Sequence, residues 1–273
     1  MNTYKSHTKT SAMNEDEIED LSAYLYDYVF ESRNDIFFYL DMANRFGGPI
    51  LEAGCGTGRI LLPLARAGFE IVGFDINTSR LAICETILAE ESDEIRARAS
   101  VVFGDMRNFT LNREFALLLT PFRSFQHLLT PEDQRTALLT MKRHLQPNGS
   151  LVLDIFNPSI PFLADSRYLK EFGDSPPIIL PDGRQILQRD RVISRNYFNQ
   201  TQEAEEIYYV RHPNGVEDRI VKSYSSRYTF PYELEHLLTS VGFSITTIFG
   251  DYDKSTFGDK YPGELIVVAR KAE

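Results

Sequence analysis

The sequence predicts an α/β fold. The expected architecture is a doubly wound, Rossmann-like, mostly parallel seven-stranded sheet with a closing antiparallel hairpin and an inserted antiparallel β subdomain. Three observations carry this reading. Short apolar runs alternate with segments of helical periodicity between Ile50 and Ile155, the signature of a parallel sheet with helices on both faces. Residues 183–229 switch to apolar–polar alternation, with "HPNGV" as a turn between two runs, as expected for three antiparallel strands. Helical periodicity then returns at Pro231–Val241, closed by Gly242, before two last strands at Ser244–Phe249 and Glu264–Ala269.

The elements follow in order. Residues 1–18 are polar and are expected to be flexible. Leu21, Tyr24, Leu25, Tyr28 and Val29, then Ile36, Phe37, Leu40 and Met42, recur at helical spacing and predict two helices. Ile50–Ala53 is a short apolar strand, and Arg59–Ala67 a helix closed by Gly68. A strand at Glu70–Phe74, a helix at Thr78–Glu91 and strands at Ser100–Phe103 and Phe115–Leu119 come next. Thr130 caps a helix that has Pro131 at its first position and Glu132 and Asp133 in its first turn. That helix ends before Gln146-Pro147-Asn148-Gly149, a turn signal, and Ser150–Ile155 is the fifth strand. The expected organisation is a flexible segment (1–18), a helical lid with a cofactor-binding core (19–165), the antiparallel insertion (166–229), and the last helix with the hairpin (230–273).

Composition narrows the function. The 273 residues carry a formal net charge of −10. An acidic chain without a basic arm argues against a nucleic-acid partner held through phosphates and suits a cationic small substrate. No apolar run reaches membrane-spanning length, and the N-terminal residues lack the apolar core of a signal peptide, so no membrane partner and a cytoplasmic location are expected. Cys55 and Cys84 form neither a disulfide framework nor a metal-ligand spacing. Both are read as reduced and structural, and no metal site is expected.

The chemistry concentrates in "PILEAGCGTGRILLPLARAG", Pro49 to Gly68. Gly54, Gly56 and Gly58 alternate between a strand and a helix. Such a turn brings backbone N–H groups and a helix end towards a ligand, at the carboxyl end of the sheet where α/β folds bind ligands. The G-x-G-x-G spacing differs from the G-x-G-x-x-G of dinucleotide sites. Glu52 ends the first strand, and Asp75 ends the next about 20 residues on, where a carboxylate holds ribose hydroxyls. "VVFGDMRNF" places Asp105 and Met106 at the end of the third strand.

Together the E-x-G-x-G-x-G turn, "GFD" and "GDM" resemble the class I S-adenosylmethionine-dependent methyltransferases, over about residues 20–158 and again at 231–270. The resemblance implies that S-adenosyl-L-methionine is the cofactor. It further implies that Gly54, Gly56 and Gly58 admit its methionine and ribose, that Asp75 binds both ribose hydroxyls, and that Asp105 and Met106 hold the adenine. By the same resemblance Arg59 approaches the cofactor carboxylate, and the backbone around Thr120 and Pro121 borders the sulfonium. "LYDYVF" and "GDMRNF…PFRSFQHL" are similar to the small-molecule subgroup that includes sugar N,N-dimethyltransferases, which carries a helical lid and an antiparallel insertion.

The acceptor is less legible. "TPFRSF" after the fourth strand lacks the Asp/Asn-Pro-Pro-aromatic signature of enzymes acting on exocyclic base amines. Methyl transfer is an in-line displacement that depends largely on positioning, with a base helping where the nucleophile must lose a proton. His127 is the candidate base; a packed, hydrogen-bonded histidine is the competing reading. Tyr26 is the candidate lid hydroxyl, with Tyr24 beside it, against the alternative of a buried helical stripe. Arg123 and Ser124 suit a substrate anion or hydroxyl, against the alternative of a solvated loop. Asp154 is expected to be a satisfied strand-end carboxylate ahead of an amine receptor. The resulting expectation is methyl transfer to a small molecule, at nitrogen ahead of oxygen. The alternatives are a protein or RNA acceptor, or a cofactor-binding protein without turnover. Alternation alone leaves the insertion either lining the acceptor pocket or pairing two chains in a homodimer.

Overall fold

A computed structural model describes residues 14–30, 35–173 and 176–272. Most of the expected flexible segment therefore lies outside the described residues, and its last residues are already helical. In chain order the elements are α1 (Glu15–Phe30), α2 (Ile36–Phe46), β1 (Ile50–Ala53), α3 (Leu61–Arg66), β2 (Ile71–Asp75), α4 (Thr78–Ala89), α5 (Asp93–Arg96), β3 (Ala99–Phe103) and β4 (Phe115–Thr120). There follow α6 (Pro131–Arg143), β5 (Leu145–Ile155), α7 (Ile160–Ala164), β6 (Ile178–Ile179), β7 (Gln185–Asn196), β8 (Thr201–Arg211), β9 (Glu217–Arg227), α8 (Pro231–Ser240), β10 (Phe243–Phe249) and β11 (Leu265–Lys271).

The chain divides into two compact units, one drawn from Met1–Ser32 and Ala164–Ser225, the other from Arg33–Leu163 and Ser226–Glu273. The second unit holds a seven-stranded sheet in the order β10-β11-β5-β4-β1-β2-β3. β1 pairs in parallel with β2 and β4, β2 with β3, and β4 with β5, while β11 is antiparallel to both β5 and β10. Strand alternation sends Leu51, Leu118, Leu151 and Leu153 to one face, against Leu138 and Met141 of α6 and Leu234 and Leu238 of α8. It sends Ile50, Leu117, Leu119 and Val152 to the other, against α2, α3 and α4. Both faces are buried, which is why these strands read as continuous apolar runs. The chain order reverses between β1 and β4, and this is the switch point at which open α/β sheets take their ligands.

The caps follow their local chemistry. Asn77 accepts from the Arg80 amide at 2.9 Å to open α4. Thr130 accepts from the Asp133 amide at 3.0 Å to open α6, with Pro131 in its first turn. Two expectations shift. The helix expected from Arg59 begins at Leu61, because Gly58–Ile60 is spent on the turn. The Gln146–Gly149 turn lies within β5 as an irregularity: Leu145 pairs with Phe115, Asn148 takes a φ of 66°, and the ladder resumes at Ser150. His144 is buried; its Nε2 accepts the Leu111 amide at 3.0 Å, so Nδ1 donates to the Thr140 carbonyl at 2.8 Å.

The first unit contains the four-stranded sheet β6-β7-β8-β9. The three long strands expected from alternation are present, and the two-residue β6, pairing with Ile186 and Gln185, was not foreseen. α1, which the sequence groups with the cofactor core, falls in this unit. Its Leu25 is buried with Leu180, Ile186, Tyr208, Val210 and Ile220, and its Glu19 accepts from Lys222 Nζ at 2.9 Å.

Candidate active site at the ends of the first and fourth strands

Gly54, Gly56 and Gly58 all have left-handed backbones, with φ of 77°, 54° and 89°, so each position needs glycine for conformation alone. Their surroundings differ. A Cβ on Gly58 would lie 2.6 Å from Cys84 Sγ, so this glycine lets α4 pack on the turn. A Cβ on Gly54 would lie 2.6 Å from Ser124 Oγ and 3.2 Å from Met106 Cε. Gly56 is buried, and a Cβ there would make only an ordinary contact, its nearest neighbour being Arg80 Cδ at 3.8 Å.

The loop amides correct the expectation that they point towards a ligand. Gly54 and Cys55 donate to the Phe74 carbonyl at 2.8 and 3.1 Å, and Gly58 donates to that of Cys55 at 2.9 Å. Gly56 donates to Asp75 Oδ2 at 2.8 Å. These donors are spent within the protein rather than gathered for a phosphate, and the six-residue α3 adds little dipole. Carboxylates gather instead. Asp75 uses Oδ2 on Gly56 and Oδ1 on the Asn77 amide at 2.8 Å; each oxygen keeps a second lone pair, enough for two hydroxyl donors. Glu52 is buried, its Oε2 lacks a hydrogen-bond partner, and burial pushes its carboxyl well above the usual range against the pull of Arg59.

Arg59 makes a fork onto Asp35 at 2.6 and 2.7 Å, with Asp35 fully buried, and its guanidinium lies 5.5 Å from the Phe122 ring centre. At the end of β3, Asp105 is clamped by Arg107: the Arg107 amide donates at 2.8 Å and its guanidinium at 2.5 Å. That hydrogen bonding holds the Asp105 carboxyl below its ordinary range, so it is ionised. Met106 packs partly buried against the core.

Beyond β4, Pro121 is buried, and Phe122 and Arg123 have φ of 50° and 66°. Asp154, at the end of β5, is fully buried and accepts at Oδ2 from the Phe122 amide (3.0 Å), Tyr39 Oη (3.1 Å) and Tyr252 Oη (2.6 Å). Burial, with Asp154 beside it, pushes the Tyr39 phenol up. His127 ends a short 3₁₀ turn at Ser124–His127 and is exposed. Tyr26 lies on α1, in the other unit, and is half-buried.

The structure thus brings Glu52, the three glycines, Arg59 and Asp75 together with Met106 and the Pro121–Ser124 turn. Sequence reasoning missed Asp35, Tyr39 and Tyr252, which only tertiary packing brings in, and Arg107, two residues from Asp105. It also missed Ile76, 60% exposed beside Asp75. The signal was present: Asp75-Ile76 repeats the acid-then-apolar pattern of Asp105-Met106.

These residues fit S-adenosylmethionine rather than a pyrophosphate. A site with an unpartnered buried carboxyl oxygen, two further acids at strand ends and its loop amides committed suits a cationic ligand. Asp75 would hold the ribose, and Ile76, Asp105 and Met106 the adenine. The fold is similar to that of solved S-adenosylmethionine-dependent methyltransferases. Residues 50–149 match the family described as "Methyltransferase domain". The chain is 30% identical over 139 residues to a cypemycin N-terminal methyltransferase from Streptomyces sp, covering 50% of this chain and 51% of that one. It is 27% identical over 128 residues to a dTDP-3-amino-3,4,6-trideoxy-alpha-D-glucopyranose N,N-dimethyltransferase from Streptomyces venezuelae, covering 47% and 50%. It spans about half the length of these two curated relatives. The solved structure of CalS10, an amino pentose methyltransferase from Micromonospora echinaspora, shares its fold with a TM-score of 0.70 at 20% identity, covering 97% of this chain and 100% of that one. Among the described residues no helix is long and apolar enough to cross a membrane.

Proposed function

We propose that this protein transfers a methyl group from S-adenosylmethionine to a small-molecule amine. The observation that carries the reading is the glycine turn whose Gly56 amide is held by Asp75, leaving acids at the strand ends to meet the ligand. The second relative described above is named for N,N-dimethyl transfer, which supports an amine acceptor.

The bound cofactor would supply an electrophilic methyl on a sulfonium. The chain's own part is to orient it and to exclude water. Asp75 and Asp105 fix the nucleoside end, and Arg59, balanced by Asp35, orients the amino-acid end. Glu52 offers its unpartnered oxygen to a cationic group. Because the displacement needs alignment more than acid–base power, positioning provides most of the acceleration. His127 is the group we assign to accept a proton from the acceptor, and Tyr26 the hydroxyl we assign to the lid.

The test is calorimetric binding of S-adenosylmethionine and its demethylated product to wild type and Asp75→Ala, followed by methyl transfer to amino sugars, peptide N-termini and phenols. Expected is clear wild-type binding, weakened at least about tenfold by the substitution, with amines methylated ahead of phenols. A folded wild type that binds neither compound would sink the proposal. His127→Ala and Tyr26→Phe should lower kcat and leave cofactor affinity unchanged.

A further inference from the structure

Phe122 and Arg123 are consecutive L-residues in the left-handed region, where bulky side chains are outliers and persist only when the surroundings over-determine them. The surroundings here do so. The Phe122 amide donates to Asp154 Oδ2 at 3.0 Å and the Arg123 amide to the Asp154 carbonyl at 3.2 Å. Ser124 returns its amide and hydroxyl to the Pro121 carbonyl at 3.3 and 2.9 Å. The Phe122 ring meets Arg59, and the Arg123 guanidinium lies 5.3 Å from the Phe156 ring centre.

Asp154 binds unevenly. Three donors converge on Oδ2, and Oδ1, equally buried, has no partner. Tyr39, from α2, and Tyr252, from the segment after β10, therefore orient one carboxylate oxygen onto one backbone amide. The turn that amide belongs to seals the glycine loop, since Ser124 Oγ occupies the space beside Gly54.

We propose that Asp154 is a positioning residue: aimed by Tyr39 and Tyr252, it locks Phe122 and Arg123 left-handed so that Ser124 and Phe122 form a wall of the cofactor site against Gly54 and Arg59. The inference rests on the methyltransferase reading for its functional consequence. Its structural content is independent of that reading.

The test uses Asp154→Asn, alone and combined with Arg123→Gly, with two readouts: amide hydrogen exchange across residues 120–126 and calorimetric affinity for S-adenosylmethionine. Asp154→Asn should speed exchange in that segment and weaken binding about tenfold. Arg123→Gly in the same chain should bring affinity back to within about threefold of wild type, because glycine adopts the left-handed conformation at no steric cost. A carboxylate serving only as core packing would show no such rescue. Affinity of Asp154→Asn within about twofold of wild type, or a loss that Arg123→Gly does not restore, would overturn the proposal. If Asp154→Asn does not fold, Tyr252→Phe removes the 2.6 Å bond and keeps the charge; unchanged exchange at 120–126 would then overturn it. Exchange needs no cofactor, so a wild type that binds none would refute the proposed function while the exchange readout still judges the turn.

Discussion

Two segments leave adjacent parallel strands at the switch point, and both are left-handed. The loop after β1 achieves this with Gly54, Gly56 and Gly58; the turn after β4 does it with Phe122 and Arg123. Behind each stands a buried carboxyl group. Glu52 sits behind the first with an oxygen unpartnered, and Asp154 sits behind the second with three donors on one oxygen. Glycine makes the first conformation intrinsic to the chain. In the second the conformation is imposed, at about 1–3 kcal/mol per strained residue, by contacts from α2, β5 and the segment after β10. A site with one intrinsic wall and one imposed wall is sensitive to mutations far from its ligand.

The comparison can be broken most severely at Gly54. Gly54→Ala adds a left-handed penalty and drives a methyl to 2.6 Å from Ser124 Oγ, so it strikes both walls. A loss of about 2–4 kcal/mol is expected in urea unfolding, with cofactor binding abolished. Gly56→Ala separates conformation from contact, since its Cβ meets nothing nearer than 3.8 Å. Stability should fall by only about 1 kcal/mol, while the thermal shift produced by S-adenosylmethionine should shrink sharply if a methyl at this position meets the ligand.

Glu52 sharpens the contrast between the two carboxyl groups. Burial raises its pKa in the folded protein above the unfolded value of about 4.3. The folded state therefore holds a proton that the unfolded chain releases, and stability falls as pH rises from that value towards the raised one. Glu52→Gln keeps the neutral shape, so the decline in melting temperature as pH rises above the unfolded value of about 4.3 should flatten. The smallest effect belongs to Arg123→Gly in the wild-type background. It relieves left-handed strain and removes a long, partly exposed pair with Glu264, at 3.3 Å, so stability should stay within about 1 kcal/mol of wild type.

Legibility in the sequence follows the same division. The strands of the seven-stranded sheet, the cap at Thr130 and the closing hairpin were readable because propensity, period and capping chemistry are local. Gly54, Gly56, Gly58 and Asp75 were readable because their spacing along the chain is the constraint. Phe122 was not, because nothing in "TPFRSF" announces a left-handed phenylalanine. Asp154 was expected to be a satisfied strand-end acid, and it is held by three donors; the partners come from residues 39, 122 and 252, distant in the chain. The expectation of outward-facing loop amides failed for a related reason: whether an N–H faces a ligand or a neighbouring strand depends on how β1 and β2 are juxtaposed.

By itself, the sequence determined the sheet, the glycine loop and the acids at the strand ends, since each depends on residues close in the chain and on the intrinsic freedom of glycine. Only the tertiary structure decided that Arg59 is balanced by Asp35, that α1 packs on the antiparallel sheet, and that Asp154 reaches the Phe122 amide. Those are pairings of buried polar or apolar groups across long sequence separations, and burial makes each partner obligatory without marking it in the local sequence.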